Sequence, residues 1–191
     1  MNDAGTSDVT IQSSHDGASV SLVVEVEGRV AALYKDYRER IYRFLVGQGL
    51  DPGKAQELTQ DVFVRLFVAL KKGGEIESEQ AWLYSVASKL AVDYWRREGR
   101  PMWVELDSLP AVVNQLRSNE PTPEATAIRE QKLKRLAATL ASLPKEQRLG
   151  VQLRMQGLRY REIARILGVS VPTVSVMLSA AVERLRSAAD E

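Results

Sequence analysis

Apolar side chains recur at three- and four-residue spacing along most of the chain, the period of helices buried on one face. Leu22, Val26, Val30, Leu33, Tyr37, Ile41 and Phe44 form the first stripe and predict a helix from about Ser21 to Val46. Over its first turns Val20, Leu22, Val24 and Val26 also alternate as in a short strand. Gly47, Gly49, Pro52 and Gly53 break the pattern. Asp51-Pro52 opens a second helix, with proline in the first turn, where no N–H is needed. Its stripe is Leu58, Val62, Phe63, Leu66, Phe67 and Leu70, and Lys71-Lys72-Gly73-Gly74 ends it. A third helix is predicted over about Ser78 to Arg97, with Trp82, Leu83, Val86, Ala87, Leu90, Ala91 and Tyr94 as its core face.

Periodicity then stops. Pro101, Pro110, Pro121 and Pro123 punctuate an acidic stretch, which reads as a flexible linker over residues 101–128. Helical spacing returns over Ala127–Leu140, Lys145–Met155, Tyr160–Leu167 and Pro172–Ala188. Residues 1–18 are rich in Asp, Ser, Thr and Gly and have no period, so they read as a disordered tail. Residues 1–27 together form a disordered or partly helical extension. The expected fold is all-α, with small helical domains at 28–100 and 129–191. Each has a marginal core that a partner surface would stabilise.

Composition narrows the function classes. In 191 residues, 45% hydrophobic and 27% charged, no apolar run approaches the ~18 residues of a membrane helix. The N-terminus lacks a basic region ahead of an apolar one, so no secretory signal is expected. A cytoplasmic protein without membrane insertion is the expectation. Cysteine is absent, which excludes disulfides and thiolate metal sites. The one histidine, His15, lies in the tail, and there is no glycine-rich phosphate loop or Ser/His/Asp set. Neither a catalytic site nor a metal or cofactor is expected. The net charge of +1 hides an asymmetry: −3 over residues 101–128 and +6 over 129–191. A basic segment of that kind suits a polyanion.

The sharpest motif lies within that basic segment. Tyr160–Leu167 is a short helix stopped by Gly168, where glycine permits a left-handed turn. Ser170 is placed to cap the helix beginning Val171-Pro172-Thr173-Val174. Ala164 is small where the helices cross, and Ile163, Leu167, Val169, Val174 and Leu178 supply the core between them. This is helix-turn-helix patterning, which puts the second helix in a major groove; an ordinary helical corner has the same spacing.

Two other helix faces carry chemistry. On the third helix Ser85, Ser88, Lys89, Val92, Arg96 and Arg97 lie off the core stripe, with Tyr84, Trp95 and Trp103 nearby. Bases mixed with aromatics suit single-stranded nucleic acid; the same residues also read as a solvated face with its rings turned inward. On the second helix Glu57, Gln60, Asp61, Val64, Arg65 and Val68 share the non-core side. Val64 and Val68 are apolar where a solvated face would be polar, which fits a partner surface.

Taken in order, these pieces resemble the extracytoplasmic-function branch of bacterial sigma factors. The matching runs are Leu33-Tyr34-Lys35-Asp36-Tyr37 to Phe44-Leu45, Ala55 to Leu66, Ala81-Trp82-Leu83-Tyr84 to Trp95-Arg96-Arg97, Leu143-Pro144 with Arg148, Gly157 to Ala164, Leu167 to Ser170, and Thr173-Val174. They cover about residues 28–100 and 130–187. The resemblance implies a first domain that holds the β′ clamp helices of core RNA polymerase and melts the −10 element. It implies a second that binds the −35 element and the β flap. Glu57, Gln60, Asp61 and Val64 would then bind polymerase. The loop Lys71–Glu79, including Lys72, would face the −10 strand with Lys89, Tyr94, Trp95, Arg96 and Arg97. Arg148, Tyr160, Arg161, Arg165, Ser170, Thr173, Ser175 and Ser179 would face the −35 duplex. Promoter DNA and core polymerase are the implied partners, with room for an anti-sigma factor.

The chain departs from the family pattern twice. Ser88-Lys89 stands where members often carry Arg-Asn. The recognition helix, Thr173 to Val182, has no base before Arg184. Hydroxyls and apolar contacts to thymine methyls must read bases there, and phosphate anchoring falls to Arg148, Arg154, Arg159, Arg161 and Arg165. Alternative readings are a helix-turn-helix regulator and a sigma-like interaction module with weakened −35 binding.

Overall fold

In a computed structural model, residues 13–99 and 123–190 are described. Seven helices account for nearly all of them, and these residues contain no strand: α1 (Ser13–Gly47), α2 (Pro52–Lys71), α3 (Glu79–Arg97), α4 (Pro123–Ser142), α5 (Lys145–Met155), α6 (Tyr160–Leu167) and α7 (Val171–Asp190). Local chemistry sets several starts. The Asp51 carboxylate accepts the Lys54 amide at 3.0 Å ahead of α2, and the Ser78 hydroxyl accepts the Ala81 amide at 3.2 Å ahead of α3.

The first unit is α1 laid along α2, with α3 closing the side. Ile41, Leu45, Leu50, Leu66 and Leu83 are fully buried at its centre. Edge-on ring pairs, Tyr34–Phe63 at 4.9 Å and Phe44–Tyr84 at 5.1 Å, tie the helices together. In the second unit α7 is the spine, packed on α4, α5 and α6. Leu140, Leu143, Leu153, Leu158, Ile163, Val174, Leu178 and Ala181 fill the space between them.

Three expectations need correcting. Helix α1 begins at Ser13, so residues 13–18 are helical, not disordered, and residues 20–26 are not a strand. Val26 is buried along with Leu33, so the apolar stripe reaches back into the extension as far as Val26. On α3, Tyr84 and Ser88 are buried, while Trp82, Val86 and Tyr94 of the expected core face are only half-buried. In the turn, Val169 is exposed and does not join the core. Residues 1–12, most of the expected linker (100–122) and Trp103 lie outside the described residues.

Gly28 sits inside α1 with open space around the position of a Cβ. Gly28→Ala is therefore expected to stabilise the chain by about 0.4–1 kcal/mol, read as a higher midpoint in urea unfolding with an unchanged slope.

Candidate nucleic-acid interface

The turn between α6 and α7 is built from two residues. Gly168 takes φ +69° and ψ +31°, the left-handed region, and ends α6. Ser170 then caps α7: its hydroxyl accepts the Thr173 amide at 3.2 Å and shares a hydrogen bond of 2.7 Å with the Thr173 hydroxyl. The two helices meet at a bend of 100°. Ile163, Ala164, Val174 and Leu178 are buried between them, which leaves one side of α7 open. On that side Val171, Pro172, Thr173, Val176, Ser179 and Ala180 are exposed, and Ser175 is half-buried. Val176 keeps 72% of its surface exposed at the centre of the face.

The expected phosphate anchors divide. Arg161 and Arg165 project from α6 with more than half of each side chain exposed. Tyr160 is half-buried beneath Arg154, whose guanidinium lies 5.5 Å from its ring and donates to the Leu158 carbonyl. Arg148 donates to the Ala141 carbonyl at 2.9 Å, and partial burial lowers its pKa from the ordinary arginine value. That bond joins α4 to α5.

On the first unit Lys89, Arg96 and Arg97 are exposed along α3, and Lys72 is exposed at the end of α2. The aromatics are partly committed to packing. The Trp95 indole N–H donates to the Gln48 carbonyl at 3.1 Å, and Lys54 lies 5.4 Å from the Tyr94 ring. Across α2, Glu57, Gln60, Asp61 and Val64 are all exposed, Val64 by 61%, and Val68 joins them. Lys54 holds Glu57 at 2.8 Å. Beside this face, Tyr34, Arg38, Glu39, Tyr42, Gln56, Thr59 and Gln60 line a groove of about 250 Å³ between α1 and α2.

The two units also touch each other through polar groups that the sequence does not single out. Gln48 and Gln152, both buried, are joined by an amide hydrogen bond of 2.5 Å, and Gln152 donates to the Gly47 carbonyl at 2.8 Å. The Gln156 carbonyl accepts from Arg40 at 3.0 Å and Gln80 at 2.5 Å, and its side-chain oxygen accepts the Tyr84 hydroxyl at 2.7 Å. Burial pushes the Tyr84 phenol up to about 12, so it stays a neutral donor. Glu77, in the loop before α3, accepts from Arg165 at 2.7 Å and Arg161 at 3.5 Å. Those arginines, Arg165 foremost, hold its carboxyl below the ordinary value. The only sequence signal for Glu77 is three acids in Glu75-Ile76-Glu77-Ser78-Glu79, an odd charge for a strand-facing loop.

An all-α protein with a helix-turn-helix in its second unit is thus in hand. Residues 33–101 match the family description Sigma-70 region 2, and residues 133–185 match Sigma-70, region 4. The ECF RNA polymerase sigma factor SigE of Mycolicibacterium smegmatis is 31% identical over 157 residues, 81% of this chain and 59% of the relative. This chain thus spans less than two thirds of that relative's length. SigX of Bacillus subtilis is 26% identical over 139 residues, covering 72% of each chain. Among solved structures, the sigma factor RpoE in complex with the anti-sigma factor NepR from Bartonella quintana superposes with a TM-score of 0.58 at 18% identity, over 83% of this chain and 94% of that one. CnrH in complex with the cytosolic domain of CnrY gives 0.60 at 20%, over 90% and 94%. The chain belongs to the sigma-70 family, as a sigma factor of the extracytoplasmic-function type.

Proposed function

We propose that the chain directs core RNA polymerase to a set of promoters and helps to open them, working without chemistry of its own. The observation that carries this reading is the order of surfaces on two separately built helical units. An exposed acidic and apolar face lies on α2, a basic edge on α3, and a helix-turn-helix follows. A helix-turn-helix regulator needs only the last of these. Glu57, Gln60, Asp61 and Val64 would seat on the β′ clamp helices, Val64 supplying the apolar contact at the centre. Lys72, Lys89, Arg96 and Arg97 would follow the −10 strand, with Tyr94 and Trp95 as stacking surfaces for unstacked bases. Tyr160, Arg161, Arg165, Ser170, Thr173, Ser175 and Ser179 would meet the −35 duplex, and the second unit would also meet the β flap. Arg148, whose bond to the Ala141 carbonyl joins α4 to α5, would add a phosphate anchor to this set. An anti-sigma factor is a fitting regulator, since the solved relative RpoE is seen with one.

The test is transcription in vitro. The full chain with core polymerase should produce specific starts on genomic templates that core enzyme alone does not. Asp61→Arg combined with Gln60→Ala should reduce retention of core polymerase in a pull-down at least tenfold while leaving the helical signal intact. Both residues are exposed and outside the core, so folding should not suffer. Unchanged retention would remove α2 from the polymerase interface.

A further inference from the structure

Lys54 touches two surfaces to which separate tasks are assigned above. Its ammonium donates to both carboxylate oxygens of Glu57 at 2.8 Å, and Glu57 belongs to the polymerase face of α2. The same Nζ lies 5.4 Å from the centre of the Tyr94 ring, on the basic edge of α3, and close enough to Arg97 for the two cations to repel. The fold makes this meeting by setting the first turn of α2, capped by Asp51, beside Tyr94 in the last turn of α3. Lys54 is partly buried, with 27% of its side chain exposed, whereas Glu57 keeps 60% and opens to solvent. The hydrogen bond to Glu57, ahead of every other influence, raises the Lys54 pKa above the ordinary lysine value, so the ammonium stays charged.

Two neighbouring cations and an aromatic ring match one nucleotide of a single strand, the cations meeting phosphates and the ring meeting the base. In the free chain one of those cations is neutralised by Glu57. We infer that Lys54 is a further strand-phosphate residue, withheld by Glu57 in the free chain and delivered to the −10 strand when polymerase takes the Glu57 carboxylate. The inference rests on the proposed roles of the α2 and α3 surfaces. An ion pair three residues apart on an exposed helix face is weak, so a cationic group of the polymerase can take Glu57 at small cost. The released ammonium then faces Arg97, a like charge, until an anion joins the two, and a strand phosphate is such an anion. Polymerase and strand both favour the broken pair, so each strengthens the binding of the other by the same factor.

The test measures binding of a short labelled oligo-deoxythymidine strand to the full chain, free and on saturating core polymerase, with binding to core alone subtracted. In the free chain Glu57→Gln should raise strand affinity by roughly two- to fivefold and steepen the slope of log K against log salt by about 0.7. Asp61→Asn, which removes the same charge about two turns further along α2, should do far less. Adding Lys54→Met to Glu57→Gln should abolish the gain, and adding Lys54→Arg should keep it. On polymerase the advantage of Glu57→Gln should vanish, because Lys54 is already released, and Lys54→Met alone should lose roughly two- to fivefold. Equal gains for Glu57→Gln and Asp61→Asn, or a Glu57→Gln gain that persists on polymerase, would overturn the inference. Lys54 variants without effect, while Arg97→Ala weakens the strand, would overturn it alone. Strand binding unmoved by Arg97→Ala in both states would sink the strand role of α3, and the role of Lys54 with it.

Discussion

Leu66→Ala should cost the first helical unit about 2–5 kcal/mol, whereas Val64→Ala, two residues earlier on the same helix, should move stability by less than about 0.5 kcal/mol. Leu66 is fully buried between α1, α2 and α3, so truncation removes its contacts and leaves a cavity that its neighbours fill only in part. Val64 faces out, with 61% of its surface already in water. The unit is small, and a loss of that size is a large fraction of what a domain has in total. The functional readouts should invert the ranking. At a temperature where both variants are folded, Leu66→Ala should retain core polymerase and Val64→Glu should lose it. Urea unfolding followed by a pull-down separates the two. A Val64→Ala variant as unstable as Leu66→Ala would mean that α2 is turned the other way.

Where local chemistry decides the structure, the sequence is a good guide. Asp51-Pro52, Ser78 and Gly168 with Ser170 each place a helix boundary through a bond or a backbone conformation within three residues. Boundaries at those places could therefore be read within a residue or two, whereas α4, expected over Ala127–Leu140, runs from Pro123 to Ser142. The N-terminus was harder because its evidence is distant. Polar composition argues for disorder over residues 13–18, yet the helix continues there above the buried Val26 and Leu33. Tyr84 and Ser88 fail for a related reason. Within α3 they lie off the apolar stripe, and what buries Tyr84 is Phe44 on one side and Gln156, over seventy positions away, on the other.

The site residues divide along the same line. Side chains expected to be exposed, such as Asp61, Val64, Lys89, Arg97, Arg161 and Thr173, could be placed from helix period alone. Those with a tertiary partner could not. Arg148 looks like one more base in a positive segment, but the nearby Ala141 carbonyl holds it. Trp95 looks unattached, but its N–H is spent on the Gln48 carbonyl, which fixes one edge of the ring and leaves only its face to meet a base. Gln48, Gln152 and Gln156 carry no charge and no motif, so nothing in the chain distinguishes them from solvated glutamines. Each becomes informative only when the other unit supplies the matching group.

DNA recognition by α7 should divide into two kinds of effect in the polymerase-bound chain. The exposed face of α7 offers Thr173, Val176, Ser179 and Ala180 but no base, so it can read hydroxyl and methyl contacts and contributes little charge. Thr173→Ala and Val176→Ala should each alter preference at one or two base pairs by about 1–3 kcal/mol, with little change elsewhere. Ser175, half-buried, should matter less than either. Arg161→Ala should act differently, weakening all sequences alike and making the slope of log K against log salt shallower by about 0.9 for the one phosphate it neutralises. Since few cations stand at this surface, the second unit alone should bind weakly and with a shallow salt slope. Tight promoter binding should appear only when polymerase tethers both units to one DNA, which raises effective concentration without new contacts. Promoter affinity across a salt series, with each substitution and with a panel of base changes, measures all of this. A steep slope for the second unit alone, with Arg161→Ala inert, would place the DNA-facing surface somewhere other than the α6–α7 face.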